Sequence, residues 1–187
     1  MSTQLLINGF VLAGGKSLRL GRDKALLDWH GRTLLEHMVD LLASATDHVR
    51  VVGRDPVPDL VPGRGPLSGI LTALETSETD SNIVVAVDLP LLTKQFLKYL
   101  KSRAVINSRQ IVACKIGSDF PLCMAFRRNL LPELWDRMRR GDLSVHTAVE
   151  NCDAEVISEL ELKKEGFDLS IFKNINTQRD YLEALRQ

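Results

Sequence analysis

Apolar side chains run from Leu5 to Ala13 with only Asn8 and Gly9 between them, a pattern that predicts a strand buried on both faces, as in a parallel sheet. A glycine-rich, basic stretch follows. The period then changes: Leu34, Leu35, Met38, Leu41 and Leu42 fall at helical spacing behind Thr33, a suitable N-cap. "HVRVVG" predicts a short strand. Asp55 to Pro66 carries four of the chain's seven prolines and predicts a loop. "LSGILTALETS" reads as a helix, "NIVVAVDLP" as a central strand closed by Asp88 and Pro90, and "KQFLKYLKSR" as another helix.

The second half is less regular. "QIVACKI" and "PLCMAF" predict two strands around a turn at Gly117–Ser118. "NLLPELWDRMRRG" and "SVHTAVEN" predict helices, and "AEVISEL" a strand. "FKNINT" leads into a last helix, "QRDYLEALR", with Thr177 as N-cap and Asp180 near the third helical position. Strands alternating with helices imply right-handed crossovers and an α/β fold: a doubly wound sheet with helices on both faces. There is no repeat, low-complexity tract or linker, so one domain over residues 1–187 is expected. In such sheets ligands bind beyond the carboxyl ends of the strands. The glycine-rich stretch and Asp88 both fall on that edge.

Composition narrows the picture. Hydrophobic content of 44% and charged content of 26% fit a folded soluble protein. With 24 basic and 24 acidic residues, nothing points to nucleic acid or an anionic membrane as partner. Cys114, Cys123 and Cys152 form no C-x-x-C pair, so reduced thiols and no structural zinc are expected. The start lacks a basic signal-peptide region, and no apolar segment approaches the ~20 residues that span a bilayer, so a cytoplasmic location is expected.

The candidate chemistry begins at "LAGGKSLRLGRDKALL". Gly15, Lys16 and Ser17 match the end of the phosphate-loop pattern G-x-x-x-x-G-K-[ST], but its first glycine belongs at position 10, which is Phe10; Gly9 is one place early. The dinucleotide pattern G-x-G-x-x-G also fails. A longer wrapping loop fits better. Gly14 and Gly15 let backbone amides approach a phosphate or base, and Ser17 adds a hydroxyl donor. Arg19 and Lys24 can neutralise phosphate charge and stabilise a pyrophosphate leaving group; solvated surface charge is the other reading of this pair. Asp88, ending a buried strand before Pro90, suits a magnesium ion that bridges phosphates, or else a cap on the next turn. Asn174 and Asn176 flank Ile175 and share one face of an extended segment, or belong to a polar turn.

Leu12, Ala13, Gly14, Gly15, Ser17, Arg19, Gly21, Asp23, Lys24 and Leu27 together resemble the N-terminal signature of molybdenum cofactor guanylyltransferases, within the broader nucleotidyltransferases. The "LAGG" and "DK" elements favour the guanylyl branch over sugar-phosphate and cytidylyl enzymes. "GPLSGI", "AVDLPLL" and "NINT" continue the likeness in order and spacing. The resemblance implies a single-domain, Rossmann-like, mostly parallel sheet of nucleotidyltransferase type. It implies transfer of GMP from GTP to the terminal phosphate of molybdenum-bearing molybdopterin, with pyrophosphate released. A molybdopterin cytidylyltransferase, a sugar-phosphate nucleotidyltransferase and a non-catalytic nucleotide binder are the alternatives.

It further implies catalytic roles for Arg19, Lys24 and Asp88. Nucleotide contacts are implied at Leu12, Ala13, Gly14, Gly15, Ser17, Lys24, Asp59 and Gly65, with Asp59 facing the base and Gly65 near base or ribose. Asp88 and Asn176 become magnesium ligands. The expected partners are GTP, a molybdopterin-type pterin phosphate and other cofactor-delivery proteins, around a monomer. Two departures stand out: Gly53 and Arg54 lie where the family often carries an asparagine, and Asp142 and Leu143 replace a more basic segment. The run Arg137–Asp142 either meets the second substrate's phosphate or is solvated charge at a helix end. His30, His37, His48 and His146 show no metal-ligand spacing and are expected at the surface or core edge.

Overall fold

The computed structural model describes residues 6–14 and 22–187. β1 (Ile7–Leu12), β2 (His48–Val52), β3 (Ser81–Ala86), β4 (Ile111–Cys114), β5 (Cys123–Arg127) and β6 (Ala154–Ile157) form one sheet in the order β2-β1-β3-β5-β4-β6. Among the described strands β5 alone is antiparallel to its neighbours, β3 and β4. The other pairings, β1 with β2, β1 with β3 and β4 with β6, are parallel. This is the α/β sheet that the alternating pattern predicted, mostly parallel as the family resemblance implied.

Helices cover both faces. Side chains alternate along β1, so Ile7 and Val11 join one apolar layer while Phe10 and Leu12 join the other. The first layer packs α1 (Leu34–Ala43), α3 (Lys94–Ile106), α6 (Glu159–Lys164) and α7 (Gln178–Ala184). The second packs α2 (Gly65–Thr76), α4 (Leu131–Arg140) and α5 (Val145–Asn151). Gly9 explains how closely α1 lies on β1: a Cβ there would stand 2.6 Å from Thr46 Oγ1 and 2.7 Å from Leu42 Cγ.

Capping follows the sequence signals. Thr33 opens α1 with a capping box completed by Glu36, and Thr177 opens α7 with one completed by Asp180. Two expectations need correction. The proline-rich loop ends at Arg64, and Pro66 lies within the first turn of α2, a place where its missing N–H costs nothing. The strand in "AEVISEL" stops at Ile157, because Ser158 accepts a hydrogen bond from Glu161 N and starts α6. Beyond α6, Phe96 of α3 meets Phe167 and Phe172 edge-on, with centroids 5.5 and 4.8 Å apart. That contact anchors the 3-10 turn Leu169–Phe172 and fixes the start of the segment carrying Asn174 and Asn176.

Candidate active site

The sheet reverses its winding at β1, which has β2 on one side and β3 on the other, and the carboxyl ends of these three strands converge. The pairing continues beyond them: Ala13 N donates to Val52 O at 2.9 Å, and Val87 N donates to Leu12 O at 3.0 Å. Gly14 and Gly53 then touch through their backbones. A Cβ on Gly53, whose φ is 92°, would lie 2.5 Å from Gly14 N. No side chain fits there, so the asparagine expected in that region has no room at this position.

Asp59 abuts the same point. Its Oδ2 is 3.3 Å from where a Cβ on Gly14 would stand. The loop holding it is tied to α2, with Leu60 N donating to Thr72 Oγ1 at 2.9 Å and Ser68 Oγ donating to Val61 O at 2.7 Å. Burial pushes the Asp59 carboxyl above its ordinary pKa. Its Oδ1 is buried with no hydrogen-bond partner among the described residues. An acceptor so placed next to a glycine-lined edge is ready for a donor from a ligand.

On the other side of β1, the 3-10 turn Lys24–Leu26 presents Lys24. Asp23 caps this turn by accepting from Ala25 N at 3.0 Å, and Arg54, at the exit of β2, pairs with the same carboxylate. Lys24 Nζ donates to Asp88 Oδ2 at 2.9 Å and to Asn176 Oδ1 at 2.8 Å. Residues 24, 88 and 176 thus meet at one place. Each is held from behind. Ile175 N donates to Asp88 O at 2.9 Å, with Ile175 itself buried. The amides of Asn176 and Thr177 donate to Asp180 Oδ2 at 3.0 and 2.8 Å, which holds that carboxyl below its ordinary pKa. A ring N–H of His37 donates to Pro90 O at 2.9 Å, bracing the turn after Asp88, and burial lowers the pKa of this ring. His37 therefore serves the core edge.

Asp88 and Asn176 offer two hard oxygens converging on one point, a donor set that fits magnesium or manganese, which take few protein ligands and draw the rest from phosphate and water. Among the described residues no cluster of three His, Cys, Asp or Glu side chains could hold a metal by itself. Beyond Asn176 a cavity of about 700 Å³ opens, lined by Phe120, Pro121, His146, Lys173, Asn174 and Asn176 among others.

Residues 9–154 match the model of the MobA-like NTP transferase domain. The chain belongs to this family. It is 27% identical to a probable molybdenum cofactor guanylyltransferase of Bacillus cereus strain Q1, over 94% of each chain. Its fold matches molybdopterin-guanine dinucleotide biosynthesis protein A of Archaeoglobus fulgidus with a TM-score of 0.83 at 23% identity, covering 96% of this chain and 97% of that one. A Mycobacterium tuberculosis H37Rv protein solved in complex with manganese shares the fold at 17% identity and a TM-score of 0.66, over 97% of this chain and 99% of that one.

In this MobA-like chain the residues singled out from sequence fall into three groups. Leu12, Ala13, Gly14, Lys24, Asp59, Asp88 and Asn176 gather at the strand ends just described. Gly65 opens α2 with a φ of 68°. Gly15, Ser17 and Arg19 lie outside the described residues. The basic run of α4 is engaged elsewhere: Arg137 is buried against Glu133 and Asp142, Arg139 pairs with Asp136, and Arg140 faces Glu133. These charges hold the end of α4 together. Sequence reasoning passed over Asp23 and Arg54 as a pair, and Phe120 with His146. The signals were present in the Asp of "DK" and in an arginine directly after a strand-ending glycine, but their meeting is a tertiary fact.

Proposed function

We propose that this MobA-like protein transfers GMP from GTP to the terminal phosphate of molybdenum-bearing molybdopterin. An oxygen of that phosphate attacks the α-phosphorus in line, the bond to the bridging oxygen of the β-phosphate breaks, and pyrophosphate leaves with the electron pair. The observation that carries this reading is the meeting of Lys24, Asp88 and Asn176 beside the Gly14–Asp59 edge.

Asp59 would accept from the guanine edge, which presents an N–H and an amino group side by side; its orphaned buried oxygen supports this. Gly14, with Gly15 and Ser17, would bring amides and a hydroxyl to the phosphates, and Gly65 would lie near base or ribose. Lys24 and Arg19 would offset phosphate charge as it grows on the leaving group. Asp88 and Asn176 would hold magnesium, which when bound neutralises and aligns the phosphate oxygens. The cavity beyond Asn176 would seat the acceptor, with the Phe120 ring as an apolar wall. Positioning and charge neutralisation are then the main demands on the protein.

The test is binding and turnover together. Thermal unfolding is followed with GTP, CTP, ATP or UTP plus magnesium, and pyrophosphate release is followed on addition of molybdenum-bearing molybdopterin. GTP alone should raise the midpoint strongly, since a ligand of the native state stabilises it by mass action. Preference for another base rejects the guanylyl assignment. Binding without pyrophosphate release makes the protein a binder rather than a transferase.

A further inference from the structure

We propose that the Lys24 ammonium and a divalent cation compete for one point, so that Lys24 bars the metal from Asp88 and Asn176 until a nucleotide triphosphate draws the lysine away. This rests on the nucleotidyltransferase reading above. Lys24 Nζ bonds the two oxygens that fit the metal, at 2.9 and 2.8 Å. A magnesium-type ion takes oxygens at about 2.0–2.1 Å, so it would have to enter the space the nitrogen fills. Two cations within a few ångströms of each other repel strongly, above all where water is partly excluded. Here the side chains of Lys24 and Asp88 are only 17% and 19% exposed.

The charge count points the same way. Asp180 is turned to the amides of Asn176 and Thr177, and Asp23 to Arg54 and the Ala25 amide. Among the described residues the acid facing the shared point is Asp88, and the ammonium is paired with it. The site therefore holds little net attraction for a free divalent ion. A triphosphate changes both sides of the balance: its oxygens offer the ammonium a stronger partner and supply the ligands a metal lacks here. The Lys24 backbone stays fixed by the Asp23 cap, while its four-carbon stem gives the ammonium reach. Metal then enters with the nucleotide, and Lys24 serves in turn as placeholder and phosphate ligand. The coupling is reciprocal, as any linked equilibrium must be.

The probe is Mn²⁺ alone, its free concentration read by electron paramagnetic resonance, with no nucleotide present. Lys24→Met should bind Mn²⁺ on the order of tenfold more tightly than wild type, as expected for removal of a partly buried competing charge. The double variant Lys24→Met, Asp88→Asn should lose that gain. Mass-spectrometric acylation of the Lys24 amine in the nucleotide-free protein gives a second measurement that needs no substitution of the lysine: Asp88→Asn should speed it several-fold by removing the ion pair, and an unchanged rate would count against the competition. Equal Mn²⁺ affinity of wild type and Lys24→Met, with near-native circular dichroism, overturns the competition while leaving the transferase reading to its own turnover assay. A wild type that turns over GTP normally yet binds Mn²⁺ tightly without nucleotide overturns it too. Absence of Mn²⁺ binding in every variant, with and without GTP, overturns both.

Discussion

At Gly53 one hydrogen atom decides how near the exit of β2 comes to Gly14. Replacing it by a methyl group in Gly53→Ala would press a carbon against Gly14 N and strain a positive φ, so a stability loss of about 1–3 kcal/mol is expected. GTP affinity should fall with it, as chemical denaturation and calorimetry would show; unchanged values in both would remove the close contact from the account. Asp59 gives a prediction of opposite sign for stability. Burial raises its folded-state pKa, so its contribution to stability is greatest at low pH and is lost as pH rises through that raised value. Asp59→Asn should therefore match or exceed wild type in thermal stability at neutral pH, lose that advantage in acid, and still bind GTP more weakly. At Asp88, Asp88→Ala should keep the fold and lower turnover on the order of a hundredfold or more. Wild-type rates with magnesium would refute its assigned role. At this scale the places of Gly14 and Asp88 just beyond strand ends could be read from sequence, because each closes an apolar run, whereas the meeting of Lys24 with Asp88 is a tertiary fact. The Asp23–Arg54 pair could not, since two charges 31 positions apart in sequence carry no local sign of meeting.

Among the elements, short caps do much of the positioning. Asp180 closes the capping box of α7 and, with the same oxygen, fixes the amide of Asn176. Asp180→Ala should thus loosen Asn176 and lower both Mn²⁺ affinity in the presence of GTP and turnover, with Asp180→Asn recovering part of each. A variant that merely frays the helix would lower the melting temperature and leave metal affinity alone. The caps at Thr33 and Thr177 were readable because a hydroxyl followed by an acid three places on is a local signal. The boundary at Ser158 carries the same kind of signal, with Glu161 three places on, but the apolar residues before it and Leu160 after it let "AEVISEL" read as one strand. The placement of β5 between β3 and β4 was beyond local reading altogether. A turn at Gly117–Ser118 shows that two strands meet, and which third strand they join is set by packing.

Over the whole molecule, the sheet divides the work. The proposal puts the nucleotide at the ends of β2, β1 and β3, and the acceptor in the cavity toward β4, β5 and α5. The layers also shelter the thiols: burial raises Cys114 to about 12 and drives Cys123 upward as well. Both should resist a thiol reagent at neutral pH until the protein unfolds, and rapid labelling of either in the native state would contradict the packing. No described helix is long and apolar enough to cross a membrane. The bond between Lys24 and Asn176 joins residues 152 positions apart. Contacts so distant along the chain bear the largest loop-closure entropy and tend to form late. During refolding, then, the fluorescence of buried Trp29 should recover before the capacity to take up GTP, and a population with an intact sheet and no competence should pass through in between.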